Sequence, residues 1–150
     1  MKPKTEQMKR ILVVHGPNLD LLGHREPDVY GRVTLKQING MLRKQARKRR
    51  VALDIIQSNH EGEIVDAIGK GPKAYAGLLI NPAAYTHTSV AIRDAIAGTG
   101  LTAVEVHLSN IYTREEFRRK SLMSPVVKGG VFGFGPQSYI LGLEALLDLL

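Results

Sequence analysis

Ala76-Gly77-Leu78-Leu79-Ile80 is a run of apolar residues with no polar interruption. A strand on a half-solvated sheet alternates apolar with polar positions. A continuous run has to be buried on both faces. Burial on both faces calls for helices above and below a parallel sheet. Other short segments fit the same role: Ile11-Leu12-Val13-Val14, Val51 to Ile56, and Thr102 to Val106.

Helical patterns separate these strands. Thr34 with Gln37 three residues on reads as a capping box, and Leu35, Ile38, Met41 and Leu42 follow on one face, to an end near Arg49. Ser58 or Asn59 caps a second helix through Ile64, Val65 and Ile68. Thr88 or Ser89 starts a third through Val90, Ile92, Ala95 and Ile96. A weak fifth strand is predicted at Gly130 to Gly133, and a closing helix from Gln137 with Ile140, Leu141, Leu143, Leu146 and Leu147 as its stripe. Alternation of this kind predicts an α/β chain, a single domain over 1–150, with three layers and five parallel strands in the flavodoxin-like order 2-1-3-4-5. Residues 1–9 are polar and are expected to be disordered.

In such sheets ligands bind beyond the carboxyl ends of the strands. The polar residues cluster there: Asn18 after the first strand, Ser58-Asn59-His60 after the second, Asn81 after the third, His107 to Ser109 after the fourth. The stretch from His15 to Gly31 is long for a connection in a compact domain, and such loops are usually functional or disordered. Gly and Pro shape it, and Asn18, Arg25, Glu26 and Tyr30 give it donors, acceptors and charge.

Several function classes lack their residues. There is no P-loop and no GxGxxG. His15-Gly16-Pro17-Asn18 is not a flavin phosphate loop, and Asn81 stands where a receiver domain needs its phosphoacceptor Asp. With no Cys, disulfides and thiolate chemistry are excluded. No apolar run nears the ~20 residues of a membrane span, and the first residues lack the apolar core of a secretory signal. A cytoplasmic chain is expected. The net charge is +7, much of it in Arg43 to Arg50. Such a run can contact nucleic acid phosphates. It also suits the solvated carboxyl end of a helix, the preferred reading because no aromatic residue interleaves with it. A basic chain would also favour an anionic small substrate.

Four histidines lie in motif-like segments: His15, His60, His87 and His107. A metal site is conceivable, but no pair has helical i, i+4 spacing, so no metal is expected. His15 and His60 read as hydrogen-bonded strand-end residues. Glu105-Val106-His107 differs, because alternate strand residues share a face. The carboxylate can then orient the imidazole and hold it protonated, making His107 a candidate general acid. Asn81 to Ser89 offers amides, hydroxyls and His87 before a helix, and suits a polyhydroxylated or anionic ligand. Arg114 and Arg118, one turn apart on a predicted helical piece from Arg114 to Arg119, can reach a carboxylate or a tyrosinate.

Four stretches together resemble the type II 3-dehydroquinate dehydratases: GPNLDLLGHREPDVYG at 16–31, QSNHEGEIVDAI at 57–68, INPAAYTHTSVAIRDAI at 80–96 and VEVHLSNIYTREEFRRKSLMSPV at 104–126. The resemblance implies a lyase converting 3-dehydroquinate to 3-dehydroshikimate by anti elimination through an enolate, in the shikimate pathway or quinate catabolism, without a cofactor. It implies that Tyr30 is the base, that Arg25 and Arg114 keep it anionic, and that Asn18 holds a water supporting the enolate. His107, backed by Glu105, would protonate the departing hydroxyl. Asn81, His87 and Arg118 would meet substrate hydroxyls, and the amides of Leu108 and Ser109 the carboxylate. Residues 16–33 would form an active-site lid. The resemblance further implies a homo-oligomer, a dodecamer built from trimers, in which Asp94 reaches a neighbouring subunit's site. No membrane or nucleic-acid partner is expected.

His15, Asp20, Ala83 and Tyr112 depart from the residues common in that family, and none of them is an expected proton-transfer group. Free tyrosine has a pKa of ~10, and two arginines could supply the ~2–4 kcal/mol that makes it anionic near neutrality. Another lyase or hydrolase acting on a small polyol acid, or a flavodoxin-like binding module touching nucleic acid through 43–50, are the alternative readings of the residues.

Overall fold

The computed structural model describes residues 5–24 and 26–150, with Tyr30 described by its backbone alone. Five parallel strands form one sheet in the order β2-β1-β3-β4-β5. They are β1 (Arg10–His15), β2 (Ala52–Gln57), β3 (Gly77–Asn81), β4 (Thr102–His107) and β5 (Gly129–Phe132). The helices are α1 (Pro27–Tyr30), α2 (Leu35–Arg49), α3 (Glu61–Gly69), α4 (Val90–Thr99) and α5 (Gln137–Asp148). The predicted strand order and layering are those observed.

Side-chain alternation along the strands divides the core in two. Ile11, Val13, Leu79, Val104 and Val106 pack against Ile38 and Leu42 of α2 and Tyr139, Leu143 and Leu146 of α5. Leu12, Val14, Leu78 and Ile80 pack on the other face against Ile64 and Ile68 of α3 and Ile92 and Ile96 of α4. β1, β3 and β4 are thus covered on both sides, as the Ala76–Ile80 run requires. α5 lies close to the sheet because Gly142 has no side chain: a Cβ there would stand 2.4 Å from Val106 Cγ1.

Several local expectations need correction. Met41, Val90 and Leu141 are exposed, and Ala46, Tyr139 and Gly142 take the inward positions. The residue before α3 is His60, and its side chain caps nothing. Ser58 acts there instead: Ser58 Oγ accepts from His60 N at 2.9 Å and donates to Glu63. Ser89 is the cap of α4, accepting from Ile92 N at 2.9 Å. The stretch after β1 is not one uninterrupted loop; it holds a 3-10 turn (Leu19–Leu21) and α1. The predicted helical piece from Arg114 to Arg119 is also broken. A 3-10 turn spans Glu116–Arg118 only, and Arg114 precedes it in extended conformation. Residues 5–9 carry no helix or strand, and residues 1–4 lie outside the described residues. The basic run is the solvated end of α2: Arg43, Lys44, Arg47 and Lys48 are exposed, and Arg49 pairs with Glu144 and Asp148 of α5.

Candidate active site

A cleft of about 690 Å³, including its open mouth, lies at the carboxyl ends of β1, β3 and β4. Pro17, Asn18, Leu19 and Leu22 line it after β1. Asn81, Ala83, Ala84 and His87 line it after β3. His107, Leu108 and Ser109 end β4, and Ile111, Arg114 and Arg118 close the side. The order change between β2-β1 and β1-β3 puts the cleft at the switch point of the sheet.

Close backbone packing shapes its floor. Gly16 N donates to Asn81 O at 2.8 Å, and a Cβ on Gly16 would stand 2.4 Å from Pro82 O. Asn18 takes a left-handed conformation, φ 66°, and its N–H donates to Asn59 Oδ1 at 2.9 Å. Gln57 Nε2 donates to the same oxygen and to Gly16 O, each at 3.2 Å. The end of β2 therefore braces the Asn18 turn, and none of Ser58, Asn59 and His60 lines the cleft.

His107 and Glu105 form a buried hydrogen-bonded pair at the site. His107 Nε2 donates to Glu105 Oε1 at 2.7 Å, and both residues are buried. Thr86 Oγ1 donates to the same carboxylate, and Ser121 Oγ stands 3.0 and 2.9 Å from its two oxygens. Burial alone would raise the Glu105 carboxyl. The hydrogen bonds from His107, Thr86 and Ser121 outweigh it and hold the group below its ordinary range. With Nε2 committed to Glu105, Nδ1 is the ring nitrogen left to a ligand. Thr86 and Ser121 were not singled out by sequence reasoning. Thr86 lies inside the 81–89 segment that was, and a buried carboxylate needs donors beyond one imidazole.

The remaining groups are mostly neutral donors and cations. His87 Nδ1 donates to Lys120 O at 2.7 Å. Burial lowers the His87 pKa, with the Lys120 carbonyl opposing, so near neutrality its Nε2 is an acceptor. Asn81 Oδ1 accepts from Ala83 N at 3.1 Å. Arg118 Nε donates to Glu115 at 2.6 Å and its guanidinium lies over Phe117. Arg118 also lines the cleft. Asp94 stands away from this cleft, its side chain 64% exposed on α4 beside Arg93. Arg25 and the side chain of Tyr30 lie outside the described residues. Among the described residues no three His, Asp or Glu side chains are grouped as a metal ion would need, and no helix is long and apolar enough to cross a membrane.

The arrangement can deliver a proton from His107, donate to oxygens from Asn81 and the guanidinium groups, and accept at His87. That set suits elimination of water from a polyhydroxylated acid.

Comparison with known proteins agrees. The family model for dehydroquinase class II matches residues 9–147. The 3-dehydroquinate dehydratase of Trichodesmium erythraeum is 58% identical over 140 residues, 93% of this chain and 93% of that protein. The crystal structure of the type II dehydroquinase from Butyrivibrio crossotus superposes with a TM-score of 0.91 at 40% identity, covering 95% of this chain and 99% of the other. That of the type II dehydroquinase from Propionibacterium acnes gives 0.87 at 37%, covering 96% and 98%.

Proposed function

Because the chain belongs to the class II dehydroquinase family, it dehydrates 3-dehydroquinate, a step of the shikimate pathway, and we propose the following division of labour among its residues. Loss of a hydroxyl β to a ketone needs a base on the α-carbon, support for the enolate oxygen and an acid at the leaving group. Tyr30, kept anionic by Arg25 and Arg114, takes the C2 proton. A water held by Asn18 supports the enolate. His107 then gives its proton to the departing C1 hydroxyl in an anti elimination, and Glu105 orients the ring and balances its charge. Asn81, His87 and Arg118 bind hydroxyl groups, and the amides of Leu108 and Ser109 bind the carboxylate. No cofactor takes part.

The observation that carries this reading is the Glu105–His107 pair, 2.7 Å apart at the edge of the cleft with two further donors on the carboxylate. A carboxylate so bound is rigid, and so is the imidazole it holds. The chain is read as one catalytic domain with 16–33 as a lid, working in the cytoplasm. It is read as a dodecamer of trimers in which Asp94 serves a neighbouring site. Exposed Tyr112 and Phe132, packed together at the β5 edge, and Phe134 just after β5 support association of this kind.

The test is an ultraviolet assay for the conjugated enone of 3-dehydroshikimate. The purified chain turns over 3-dehydroquinate, and Tyr30→Phe loses kcat by ~10²–10⁴-fold, the usual contribution of a general base. A fully active Tyr30→Phe enzyme would overturn the mechanism.

A further inference from the structure

A second hydrogen-bonded chain leaves the cleft and runs into the core without touching Glu105 or His107. Asn81 Nδ2 donates to the Tyr139 hydroxyl at 2.9 Å. That hydroxyl lies 2.8 Å from His15 Nδ1, and His15 Nε2 lies 2.8 Å from Asn39 Oδ1. Tyr139 and His15 are wholly buried, so no bulk water can substitute for a missing partner. The described residues leave no buried side-chain nitrogen or oxygen without one.

Proton counting gives the chain one direction. Asn39 Oδ1 only accepts, so His15 Nε2 carries the hydrogen. Nδ1 of the neutral ring then accepts, and the Tyr139 O–H donates to it. The Tyr139 oxygen is left as an acceptor, which Asn81 Nδ2 fills. On its other side, Asn81 Oδ1 accepts from Ala83 N at 3.1 Å. A flipped Asn81 amide would set oxygen against the Tyr139 oxygen and NH₂ against the Ala83 N–H. Both contacts would be lost at once, each leaving a poorly solvated polar group.

We propose that Tyr139 and His15 are positioning residues that lock the carboxamide of Asn81 in one orientation, so that it meets the substrate as an N–H donor. The oxygen of Asn81 is committed to Ala83, one Nδ2 hydrogen to Tyr139, and the second hydrogen remains for a ligand in the cleft that Asn81 lines. The proposal rests on the reading that Asn81 binds a substrate hydroxyl. The locked amide selects the oxygen of that hydroxyl as acceptor. It also makes a core histidine on β1 matter to binding at the end of β3.

Steady-state kinetics with 3-dehydroquinate test it, with urea unfolding used to establish that each variant is folded. Tyr139→Phe and His15→Leu each remove one link, and KM is expected to rise about 5- to 10-fold while kcat changes less than about twofold, the scale of one neutral hydrogen bond. His15→Asn is the rescue, because its carboxamide oxygen takes the place of Nδ1 as acceptor for Tyr139; its KM stays within about twofold of the parent. Tyr139→Phe added to Asn81→Ala brings no further rise in KM, since Tyr139 acts through Asn81. If Asn81→Ala raises KM but folded Tyr139→Phe and His15→Leu do not, the positioning role is wrong and the substrate contact stands. If Asn81→Ala itself leaves KM unchanged, the substrate contact fails and the proposal with it. Should Tyr139→Phe not fold, the His15→Leu and His15→Asn pair decides: equal KM values in the two would overturn the proposal.

Discussion

His15 and His107 are each the last residue of a parallel strand, and both are buried, at 0% and 8% exposure. Their chemistry is opposite. His15 lies on the α2/α5 face of the sheet, between the hydroxyl of Tyr139 and the carboxamide of Asn39. Burial pushes its pKa down to about 4, with the Asn39 hydrogen bond opposing. His107 lies on the other face and holds Glu105 at 2.7 Å. The residue two positions earlier accounts for the difference: Val13 on β1, Glu105 on β4. A valine there leaves the ring among neutral partners, where it can only orient. A carboxylate there gives the ring an acidic partner that orients it for proton transfer. On the proposed reading, two strand ends of the same sheet divide the work, one holding a binding group in place and the other carrying the acid.

The largest effect should come from the charged strand end. His107→Ala is expected to lower kcat by ~10²–10⁴-fold with the fold retained. Glu105→Gln should lower it less, since the ring remains but its anionic partner is gone. His15→Asn should lie near the parent in kcat. Initial rates at saturating 3-dehydroquinate check all three. If His107→Ala kept near-native turnover, the two histidines would be alike and the acid would lie elsewhere.

The contrast was only half legible in the sequence, for a physical reason. Glu105 and His107 are neighbours on one strand, and the period of two puts them on one face whatever surrounds them. The strand order followed in the same way from local runs such as Ala76–Ile80, which allow few environments. His15 takes its character from Tyr139 and Asn39, 124 and 24 residues away, and nothing local announces them. Tyr139 carries a hydroxyl on the same buried stripe of α5 as Leu143 and Leu146, and that was the available signal. Arg114 and Arg118 both line the cleft, but not from one helix: helical spacing was assumed across a segment that the chain breaks into separate 3-10 turns. Ser58 and Asn59 looked like ligand residues because they end a strand, yet β2 is a sheet edge and its end braces the neighbouring turn.

Acid should separate the two strand ends by stability. The folded His15 pKa, about 4, is lower than the 6.5 of an exposed histidine. Between these values the unfolded chain binds the proton and the folded chain does not, so stability falls as pH drops from 6.5 to 4. The loss totals about 3 kcal/mol at ~1.4 kcal/mol per pH unit. Glu105 has the opposite protonation chemistry but also a lowered pKa. Its stabilisation is complete above the ordinary carboxylate range and is lost only as pH falls through its lowered folded value. Urea midpoints of the parent and His15→Asn at pH 7 and pH 4.5 read the difference. The variant should lose much less stability over that interval. Equal losses would mean that His15 is not neutral in the folded state.

The smallest effect sharpens the comparison at a third strand end. β3 finishes in Asn81, and the amide of that residue depends on Ala83 N as well as on Tyr139. Ala83 reaches it with a positive φ of 51°. Left-handed backbone costs an L-residue with a Cβ ~1–2 kcal/mol. Glycine avoids that cost but loses ~0.5–1 kcal/mol more conformational entropy on folding than alanine. The first term exceeds the second, so Ala83→Gly should stabilise the chain by ~0.5–1 kcal/mol, read as a higher urea midpoint at unchanged slope. The positive φ is the physical reason glycine would suit this position. A lower midpoint in Ala83→Gly would mean that the methyl group packs against the α2/α5 core strongly enough to outweigh the strain. The orientation of Asn81 would then rest on that packing as well as on the chain through Tyr139 and His15.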